Sequence, residues 1–270
     1  MKKDAGHGGN SMENKELLII IPTYNEGNNI LRLLMQLEEL GMKDKADILI
    51  VNDASTDATN WIVKEMHYPM LSQLYNMGYG CALQTGYKYA VRRGYQYVIQ
   101  MDGDGQHDVC NIPVIYQKLT EQDADGQYPD IVLGARFMEG SADFPVSLPK
   151  RIVYSMFRWL IRMATGKKIS DPTTGLQGLS RKAFLYYSKY DHFDDKYPDA
   201  NMIILMMLLK FRIVEIPAVM HARKEGKSMH SGLKPFWYML RVMFSVLVVL
   251  FRVSVLKMDT EVGLLSADKI

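Results

Sequence analysis

Apolar and polar positions along the first half of the chain alternate between two periods. Short apolar runs predict buried strands at residues 17–22, 47–52, 71–75, 95–101 and 130–135. The segments between these runs place apolar residues at the spacing of helices. Strands and helices that alternate at this interval predict right-handed crossovers and a largely parallel, doubly wound α/β sheet, which is the fold class that we expect.

The pattern changes after Gly134. Helices are predicted at residues 149–164 and near 199–210, a strand within 211–220, and a long apolar helix from about 233 to 257. The order of these segments indicates three parts, which are a polar N-terminal segment expected to be disordered (1–15), one α/β domain (16–232), and a C-terminal helix with its tail (233–270).

A narrow polar stripe runs along the predicted C-terminal helix. It consists of Lys234, Arg241, Ser245 and Arg252, spaced seven, four and seven residues apart on an otherwise apolar helix. The longest apolar run, residues 242–251, is too short to span a bilayer, and a longer span would bury one of the two arginines. The pattern is typical of a helix at a membrane surface or against a membrane partner, and equally of a helix that packs on the core.

A polar loop follows each of the five predicted strands. In chain order these loops read PTYNEGNN, NDASTD, NMGYG, DGDGQHD and ARF, and each is rich in carboxylates, amides, glycine or arginine. Helix caps or tight turns explain any one of them. Because ligands of open parallel sheets bind beyond the carboxyl ends of the strands, five such loops together predict a shared ligand site.

Three carboxylates cluster in the fourth of these loops. Asp102, Asp104 and Asp108 lie within a stretch of seven residues, where ionised carboxylates repel unless they stay solvated or bind a cation. Asp102 and Asp104, with Gln106 or His107 behind them, offer oxygen ligands to Mg²⁺ or Mn²⁺, which completes its shell with water and substrate phosphates. An Asp-Gly turn with solvated side chains is the alternative.

Composition narrows the choice of function. The chain of 270 residues is 48% hydrophobic and 23% charged with a net charge of +2, which is ordinary for a globular protein and gives no argument for nucleic acid. Its two cysteines lack metal-ligand or disulfide spacing and the N-terminal residues are polar, so a reducing, cytoplasmic location without a signal peptide is expected. The sequence also lacks the glycine motifs of dinucleotide and P-loop sites and the serine nucleophile elbow.

Seven sequence motifs occur in a fixed order along the chain. The first five are IPTYNEGNNI, VNDASTDAT, NMGYGCALQTGY, MDGDGQHD and LGARF, and in order and spacing they resemble the family 2 glycosyltransferases. The last two, DPTTGLQGLSRKAF and EIPAVMHARKEGKSMHS, resemble the branch that includes dolichyl-phosphate mannose synthase and bacterial polyprenyl-phosphate sugar transferases. The resemblance covers about residues 17–232 and implies a GT-A fold and a metal-dependent reaction that inverts the anomeric centre.

The resemblance also implies roles in donor binding. Tyr24 offers a stacking face, and the Asp53 carboxylate offers an acceptor for a base N–H. Asp102, Asp104 and Gln106 match the family's metal ligands, so that Mg²⁺ or Mn²⁺ neutralises the leaving diphosphate. The residues that match the nucleotide-sugar site are Pro22, Tyr24, Glu26, Asp53, Asn76, Asp102, Arg223 and Lys227.

The residues that the resemblance implies for acceptor binding lie after the fifth predicted strand. Arg136 matches the family's arginine near the acceptor, and Arg151 and Ser155 match an Arg-x-x-x-Ser pair that lies on one helical face. We expect these three residues to bind the acceptor, with its phosphate on Arg151 and Ser155. Arg158 and Arg162 continue the same face, where a plain amphipathic surface is the simpler interpretation.

Two further positions concern the type of acceptor. Asp171 matches the aspartate of the family's acceptor loop and would be the general base for a hydroxyl acceptor, although a turn or helix cap explains it as well. Asn201 stands where the family pattern leads us to expect an acidic residue, and Asp199 is the nearby substitute. The predicted catalytic residues are Asp104, Arg136 and Asp171.

These inferences combine into one hypothesis. We expect an enzyme on the cytoplasmic face of a membrane that transfers a sugar from a UDP- or GDP-linked donor to a polyprenyl (dolichyl-type) phosphate, with its C-terminal helix on lipid or on a small integral membrane partner. A lipid phosphate is already an anionic nucleophile and needs cationic alignment more than a base. The alternatives are transfer to a glycan or protein hydroxyl, and a non-catalytic nucleotide-sugar-binding subunit of a membrane complex.

Overall fold

Seven strands form one sheet in the computed structural model, which describes residues 15–141, 146, 148–196, 198–221 and 234–257. Every residue of the first strand is buried, as its apolar sequence predicts. The strands in chain order are β1 (Leu17–Thr23), β2 (Asp47–Asn52), β3 (Met70–Ser72), β4 (Tyr97–Gln100), β5 (Ile131–Ala135), β6 (Gln177–Ser180) and β7 (Ile213–Pro217).

The order of strands across the sheet is β3-β2-β1-β4-β6-β5-β7. Neighbouring strands pair in parallel except at β6, which is antiparallel to both β4 and β5. The carboxyl ends of β1 to β5 therefore lie at the same edge of the sheet. The predicted doubly wound, mostly parallel α/β sheet is confirmed.

Helices cover both faces of the sheet. The apolar residues of the first helix recur at i, i+3, i+4 and i+7, which gives it one buried face. The helices among the described residues are α1 (Gly27–Glu39), α2 (Met42–Lys45), α3 (Thr59–Glu65), α4 (Tyr79–Arg93), α5 (Asn111–Thr120), α6 (Leu148–Thr165), α7 (Arg181–Tyr187), α8 (Ala200–Leu208) and α9 (Lys234–Ser254).

Alternate residues of β1 contribute to two separate apolar layers. Ile19 and Ile21 pack with the buried residues of α1, α3 and α5 on one face of the sheet. Leu18 and Ile20 pack with those of α4, α6, α8 and α9 on the other. This alternation follows from the two-residue period of a strand that is buried on both faces.

Three short elements were not predicted, and the predicted strands at 71–75 and 95–101 are shorter than expected. The sequences of α2, β6 and α7 are too short to establish a period, so β6 is visible only through its pairing with β4 and β5. The predicted strand at 71–75 ends at Ser72. Leu74 and Tyr75 are 90% and 77% exposed, because β3 is the edge strand and the chain leaves the sheet there.

The long C-terminal helix α9 packs on the core, which is one of the predicted arrangements. Val242, Val246 and Val249 are buried against the core that includes α8, whereas Phe244 and Phe251 face outward and are exposed. No helix within the described ranges is long and apolar enough to cross a membrane. The predicted N-terminal segment and C-terminal tail fall almost entirely on residues 1–14 and 258–270, outside the described residues.

Candidate active site

The loops after β1 and β2 are joined by hydrogen bonds at the carboxyl edge of the sheet. The backbone N–H of Asn25 donates to Ser55 Oγ at 2.9 Å, and Asn25 Oδ1 accepts from the backbone N–H of Thr56 at 2.8 Å. The backbone N–H of Gly27 donates to the carboxylate of Asp57 at 2.9 Å. Asn25, Ser55 and Asp57 thus fix two neighbouring loops against each other.

The predicted donor-site residues of these loops lie along this edge. Pro22 is a buried residue of β1, and Tyr24 follows it with about half of its surface exposed. The Glu26 carboxylate accepts from Asn29 Nδ2 at 2.7 Å. Asn76 is exposed in the loop after β3. Arg223 and Lys227 lie outside the described residues.

Asp53 is buried at the end of β2 and holds the loop after β3. Its Oδ1 accepts the backbone N–H of Met77 at 2.7 Å, and its Oδ2 accepts the backbone N–H of Gly78 at 2.9 Å. Two amide donors give a buried carboxylate the hydrogen bonds that its charge requires. Asp53 therefore positions the turn at residues 76–78, next to the exposed Asn76.

Asp102 stands at the centre of the loops, just past the end of β4. Its Oδ1 accepts from the Tyr79 hydroxyl at 2.7 Å, and its Oδ2 lies 3.1 Å from His107 Nε2. Burial raises the pKa of Asp102, but the hydrogen bonds from His107 and Tyr79 and the charge of Arg136 outweigh it, so this pKa lies below the usual carboxyl value. Asp102 is therefore a stabilised anion at neutral pH.

The loop at residues 171–175 brings the end of β4 next to the end of β5. A Cβ atom at Gly175 would lie 2.4 Å from a carboxylate oxygen of Asp102, so only glycine permits this approach. The carbonyl oxygen of Gly175 accepts from Gln100 Nε2 at 3.1 Å. At the other end of the loop, Asp171 binds Arg136. The two predicted charged groups, Asp102 and Arg136, are thus parts of one site.

Arg136 and Asp171 form a buried, two-pronged ion pair. Arg136 Nε and Nη2 each donate to a different Asp171 oxygen at 2.6 Å, and Nη2 also donates to Thr173 Oγ1 at 2.7 Å. The Asp171 side chain is 0% exposed and that of Arg136 is 10% exposed. Burial lowers the pKa of Arg136, but the hydrogen bonds and charge of Asp171 more than offset this and raise it.

The remaining predicted metal ligands lie in the turn after Asp102. Asp104 Oδ1 accepts the backbone N–H of Gln106 at 3.0 Å, which tightens the turn. Gln106 Nε2 donates to the carbonyl of His221 at 3.3 Å. Among the described residues, no three His, Cys, Asp or Glu side chains are arranged to hold a metal ion. Two carboxylates and one amide oxygen remain as the donor set, which suits a hard cation that completes its shell with phosphates.

Helix α6 carries the predicted acceptor residues Arg151 and Ser155 and contacts the segment of Arg136 and Phe137 through Tyr154. Arg151 and Ser155 are both exposed on this helix. Tyr154 packs on Phe137 with ring centroids 5.3 Å apart, and the guanidinium of Arg158 lies 5.9 Å from the Phe137 ring. Phe137 follows Arg136 directly, so this face of α6 borders the buried ion pair.

Sequence reasoning did not assign a role to Tyr79, and it named His107 only as an alternative to Gln106 behind the two carboxylates. The contacts of Tyr79 and His107 with Asp102 join residues 23 and 5 positions apart. Burial and the neighbouring Asp102 raise the pKa of Tyr79 well above its ordinary value, so its hydroxyl remains a neutral donor. Only the folded geometry identifies these two residues as the partners of Asp102.

The chain is similar to known proteins over most of its length. The family model described as glycosyl transferase family 2 matches residues 18–187. An undecaprenyl-phosphate mannosyltransferase of Micrococcus luteus is 28% identical over 80% of this chain and 88% of that protein. A dolichol-phosphate mannosyltransferase of Pyrococcus furiosus is 26% identical over 83% of this chain and 62% of that protein. The matched share of other relatives' own lengths runs from 50% to 96%.

Solved structures agree on the fold. The glucosyl-3-phosphoglycerate synthase of Mycobacterium tuberculosis, solved with Mn²⁺, UDP-glucose and phosphoglyceric acid, superposes with a TM-score of 0.62 at 16% identity, covering 87% of this chain and 80% of that one. The mannosyl-3-phosphoglycerate synthase of Rubrobacter xylanophilus gives a TM-score of 0.63 at 15% identity, covering 89% and 75%. With the GT-A fold, the motif loops at one edge and the family match, the chain belongs to glycosyl transferase family 2.

Proposed function

We propose that this glycosyltransferase transfers a sugar, with inversion, from a nucleotide-diphosphosugar to a polyprenyl phosphate at a membrane surface. The observation that carries the proposal is the junction of Asp102 and Arg136 through the 171–175 loop, because it brings the predicted metal-binding loop next to the buried Arg136–Asp171 pair. The names of the relatives support the acceptor class, since two of them are mannosyltransferases of undecaprenyl phosphate and dolichol phosphate.

The described residues fit a divalent cation at the donor diphosphate. Asp102, Asp104 and Gln106 would hold it through oxygen atoms, with the remaining positions left to water and phosphate. Such a cation supplies charge neutralisation of the leaving diphosphate. The protein's own part is to keep Asp102 ionised through Tyr79 and His107. Both Mg²⁺ and Mn²⁺ suit this donor set, and UDP and GDP are both candidate nucleotides.

The pairing of Asp171 favours a phosphate acceptor over a hydroxyl acceptor. A general base must reach the proton that it removes, whereas both oxygens of Asp171 bind Arg136 and none of its side-chain surface is exposed. A lipid phosphate is ionised at neutral pH and needs no base. In this proposal Asp171 orients Arg136, and Arg151 at the start of α6 attracts the acceptor.

Two helices give the protein a surface suited to an anionic membrane. Both α6 and α9 pack against α8, and neither 148–168 nor 234–257 contains an aspartate or glutamate. Exposed apolar side chains beside basic residues are typical of helices that lie in the headgroup region. The exposed apolar residues are Ile152, Trp159 and Met163 on α6, and Phe244, Leu247, Val248 and Phe251 on α9.

A donor screen tests the proposal. The purified protein is incubated with membranes, Mg²⁺ or Mn²⁺, and a panel of UDP- and GDP-linked sugars, and nucleotide release is measured. We expect one nucleotide class to be turned over only when both metal and membranes are present. Turnover without membranes would favour a soluble hydroxyl acceptor. Binding of a nucleotide-sugar without any turnover would favour the non-catalytic subunit.

Asp53→Ala is expected to weaken nucleotide binding more than it slows the chemical step. The change removes the carboxylate that holds the turn at residues 76–78, and contacts to the base are equal in ground and transition states. We expect nucleoside diphosphate affinity to fall by about tenfold or more, as for the loss of charge-assisted hydrogen bonds. Calorimetry with free UDP and GDP measures this. Unchanged affinity would remove Asp53 from the donor site.

Arg151→Ala is expected to impair use of the acceptor while donor binding stays nearly constant. A charge-assisted bond to an anion accounts for an effect of about tenfold to a hundredfold on acceptor KM or kcat. Arg158→Ala is the matched control, because it also removes one positive charge from the same helix face. The Arg158 guanidinium lies beside the Phe137 ring, whereas Arg151 is exposed and open to a ligand. We expect a much smaller effect from Arg158→Ala. Equal effects would indicate a membrane-facing basic helix without a specific phosphate site.

A further inference from the structure

The segment formed by residues 191–196 and 198–199 supports the donor-site turn. A Cβ atom at Gly80 would lie 1.9 Å from the carbonyl oxygen of Asp194, so the segment touches the first turn of α4 directly. The backbone N–H of Cys81 donates to the carbonyl of Asp195 at 3.0 Å. The start of α4 is therefore held by Asp53 on its inner side and by the 194–195 backbone on its outer side.

Asn201, at the start of α8, fixes this segment with all of its polar atoms. Its Oδ1 accepts the backbone N–H of Asp199 at 3.0 Å. Its Nδ2 donates to Asp194 Oδ2 at 3.1 Å and to Ser245 Oγ on α9 at 2.8 Å. Asn201 is 2% exposed, so none of these bonds is replaced by water at low cost.

The amide group explains why this position is not acidic. The side chain of residue 201 must accept a hydrogen bond from the Asp199 N–H at one atom. At its other atom it must donate hydrogen bonds to Asp194 and Ser245. An amide supplies both functions, whereas a carboxylate only accepts. An ionised carboxylate here would also face the Asp194 carboxylate inside the protein, which is unfavourable.

The polar stripe of α9 faces this same segment. Arg241 and Arg252 line a cavity of about 380 Å³ together with Asp191, Asp194 and Asp195. Ser245 lies between the two arginines in the stripe and reaches Asn201. Arg241, Ser245 and Arg252 of the stripe therefore lie on the side of α9 that faces the acidic segment, and the exposed apolar residues of α9 lie on its other sides.

We propose that Asn201, held from α9 by Ser245, is a positioning residue of the donor site. It fixes the 194–195 backbone against the start of α4, and so fixes the turn whose amides bind Asp53. The proposal rests on the proposed function in one respect, namely that this turn borders the nucleotide. Phe193 anchors the same segment by an edge contact with Tyr87, at 5.3 Å between ring centroids, so the fold does not depend on Asn201 alone.

The test combines two variants, a rescue and a matched control. Asn201→Asp keeps the shape of the side chain but removes both donated bonds, and Ser245→Ala removes one acceptor. Ser245→Thr keeps the hydroxyl and serves as the rescue. Ser188→Ala is the control, because it removes a hydroxyl bond of 2.8 Å to Leu185 at the end of α7 and leaves the bonds of Asn201 in place.

Affinity for UDP and GDP with Mn²⁺ is measured by calorimetry, beside thermal unfolding. We expect Asn201→Asp to weaken binding by about tenfold or more and Ser245→Ala by about threefold, with Ser245→Thr and Ser188→Ala close to wild type. The positioning role is refuted if Asn201→Asp and Ser245→Ala bind as wild type does. The role is also refuted if the loss of nucleotide affinity in each variant merely follows its loss of unfolding temperature. In that case Ser188→Ala would lose as much affinity as Asn201→Asp and Ser245→Ala for the same loss of stability. Should Asn201→Asp not fold, Ser245→Ala and Ser245→Thr decide.

Hydrogen exchange of the amides at residues 77–81 gives a readout that needs no nucleotide. We expect faster exchange at Met77, Gly78 and Cys81 in Asn201→Asp and Ser245→Ala, and wild-type exchange in Ser188→Ala. If wild-type protein bound neither UDP nor GDP, the proposed function would fail, and exchange alone would decide the positioning role. Unchanged exchange at these amides would overturn it.

Discussion

Asp104→Asn is expected to abolish metal-stimulated sugar transfer and to leave the fold intact. The change removes one of the two carboxylates that would hold the cation, and a loss of at least about a thousandfold in rate corresponds to ~4 kcal/mol of transition-state stabilisation. The fold is spared because the Oδ1 atom of an asparagine can still accept the Gln106 N–H that Asp104 accepts now. Initial rates at varied Mg²⁺ and Mn²⁺ measure the effect.

The control for this prediction removes one negative charge elsewhere. Asp125 is exposed in the connection between α5 and β5, so Asp125→Asn is expected to keep wild-type turnover. Circular dichroism and thermal unfolding of Asp104→Asn confirm that the variant is folded. Wild-type turnover of Asp104→Asn with either metal would favour the plain Asp-Gly turn, and the metal assignment would be wrong.

Arg136→Ala is expected to destabilise the protein by about 3–5 kcal/mol as well as to remove activity. The change leaves the Asp171 carboxylate fully buried without its guanidinium, and an uncompensated buried charge is costly. Arg136→Lys keeps the charge but cannot donate in the same two-pronged geometry, so we expect an intermediate loss. Denaturant unfolding measures the free energy of each variant.

The double variant separates the pair from its surroundings. We expect Arg136→Ala with Asp171→Ala to cost less than the sum of the single changes, by about 2–3 kcal/mol, because neither charge is then left alone. Arg212→Ala, which breaks a partly exposed pair with Asp123, is the comparison and should cost under about 1 kcal/mol. If Arg136→Ala and Asp171→Ala each cost under about 1 kcal/mol and their costs simply added, the pair would be neither buried nor coupled.

The position of the site could be predicted from sequence, because each strand is a short apolar run and a polar loop marks its end. Once β1 to β5 are identified, parallel pairing places the loops of Pro22, Asp53, Asn76, Asp102 and Arg136 at one edge. The strand β6 could not be predicted, because four residues without a clear period take their conformation from β4 and β5. Its antiparallel direction is what returns the 171–175 loop to that edge.

The partners of the site residues were beyond sequence reasoning. Asp171 and Arg136 are 35 positions apart, and Asn201 and Ser245 are 44 apart, so no local period relates them. Sequence marked Asn201 only as a departure from the family pattern. Its fit between Asp194 and Ser245 became visible with the packing of α8 on α9.

The polar stripe of α9 illustrates a different limit. Spacing places Arg241, Ser245 and Arg252 on one side of the helix, but it cannot say what that side meets. In the folded protein the stripe faces Asp191, Asp194 and Asp195, so charge on a helix does not by itself indicate a membrane.

The most direct test of transfer to a lipid phosphate is the fate of the transferred sugar. The protein is incubated with a radiolabelled nucleotide-sugar of the class found by the donor screen, Mn²⁺, and a polyprenyl phosphate in detergent, and the mixture is extracted with organic solvent. We expect label to enter the organic phase with the polyprenyl phosphate, but not with the corresponding polyprenol, and not with Asp104→Asn. Label that enters a glycan or protein fraction, or that follows the polyprenol equally well, would contradict transfer to a lipid phosphate.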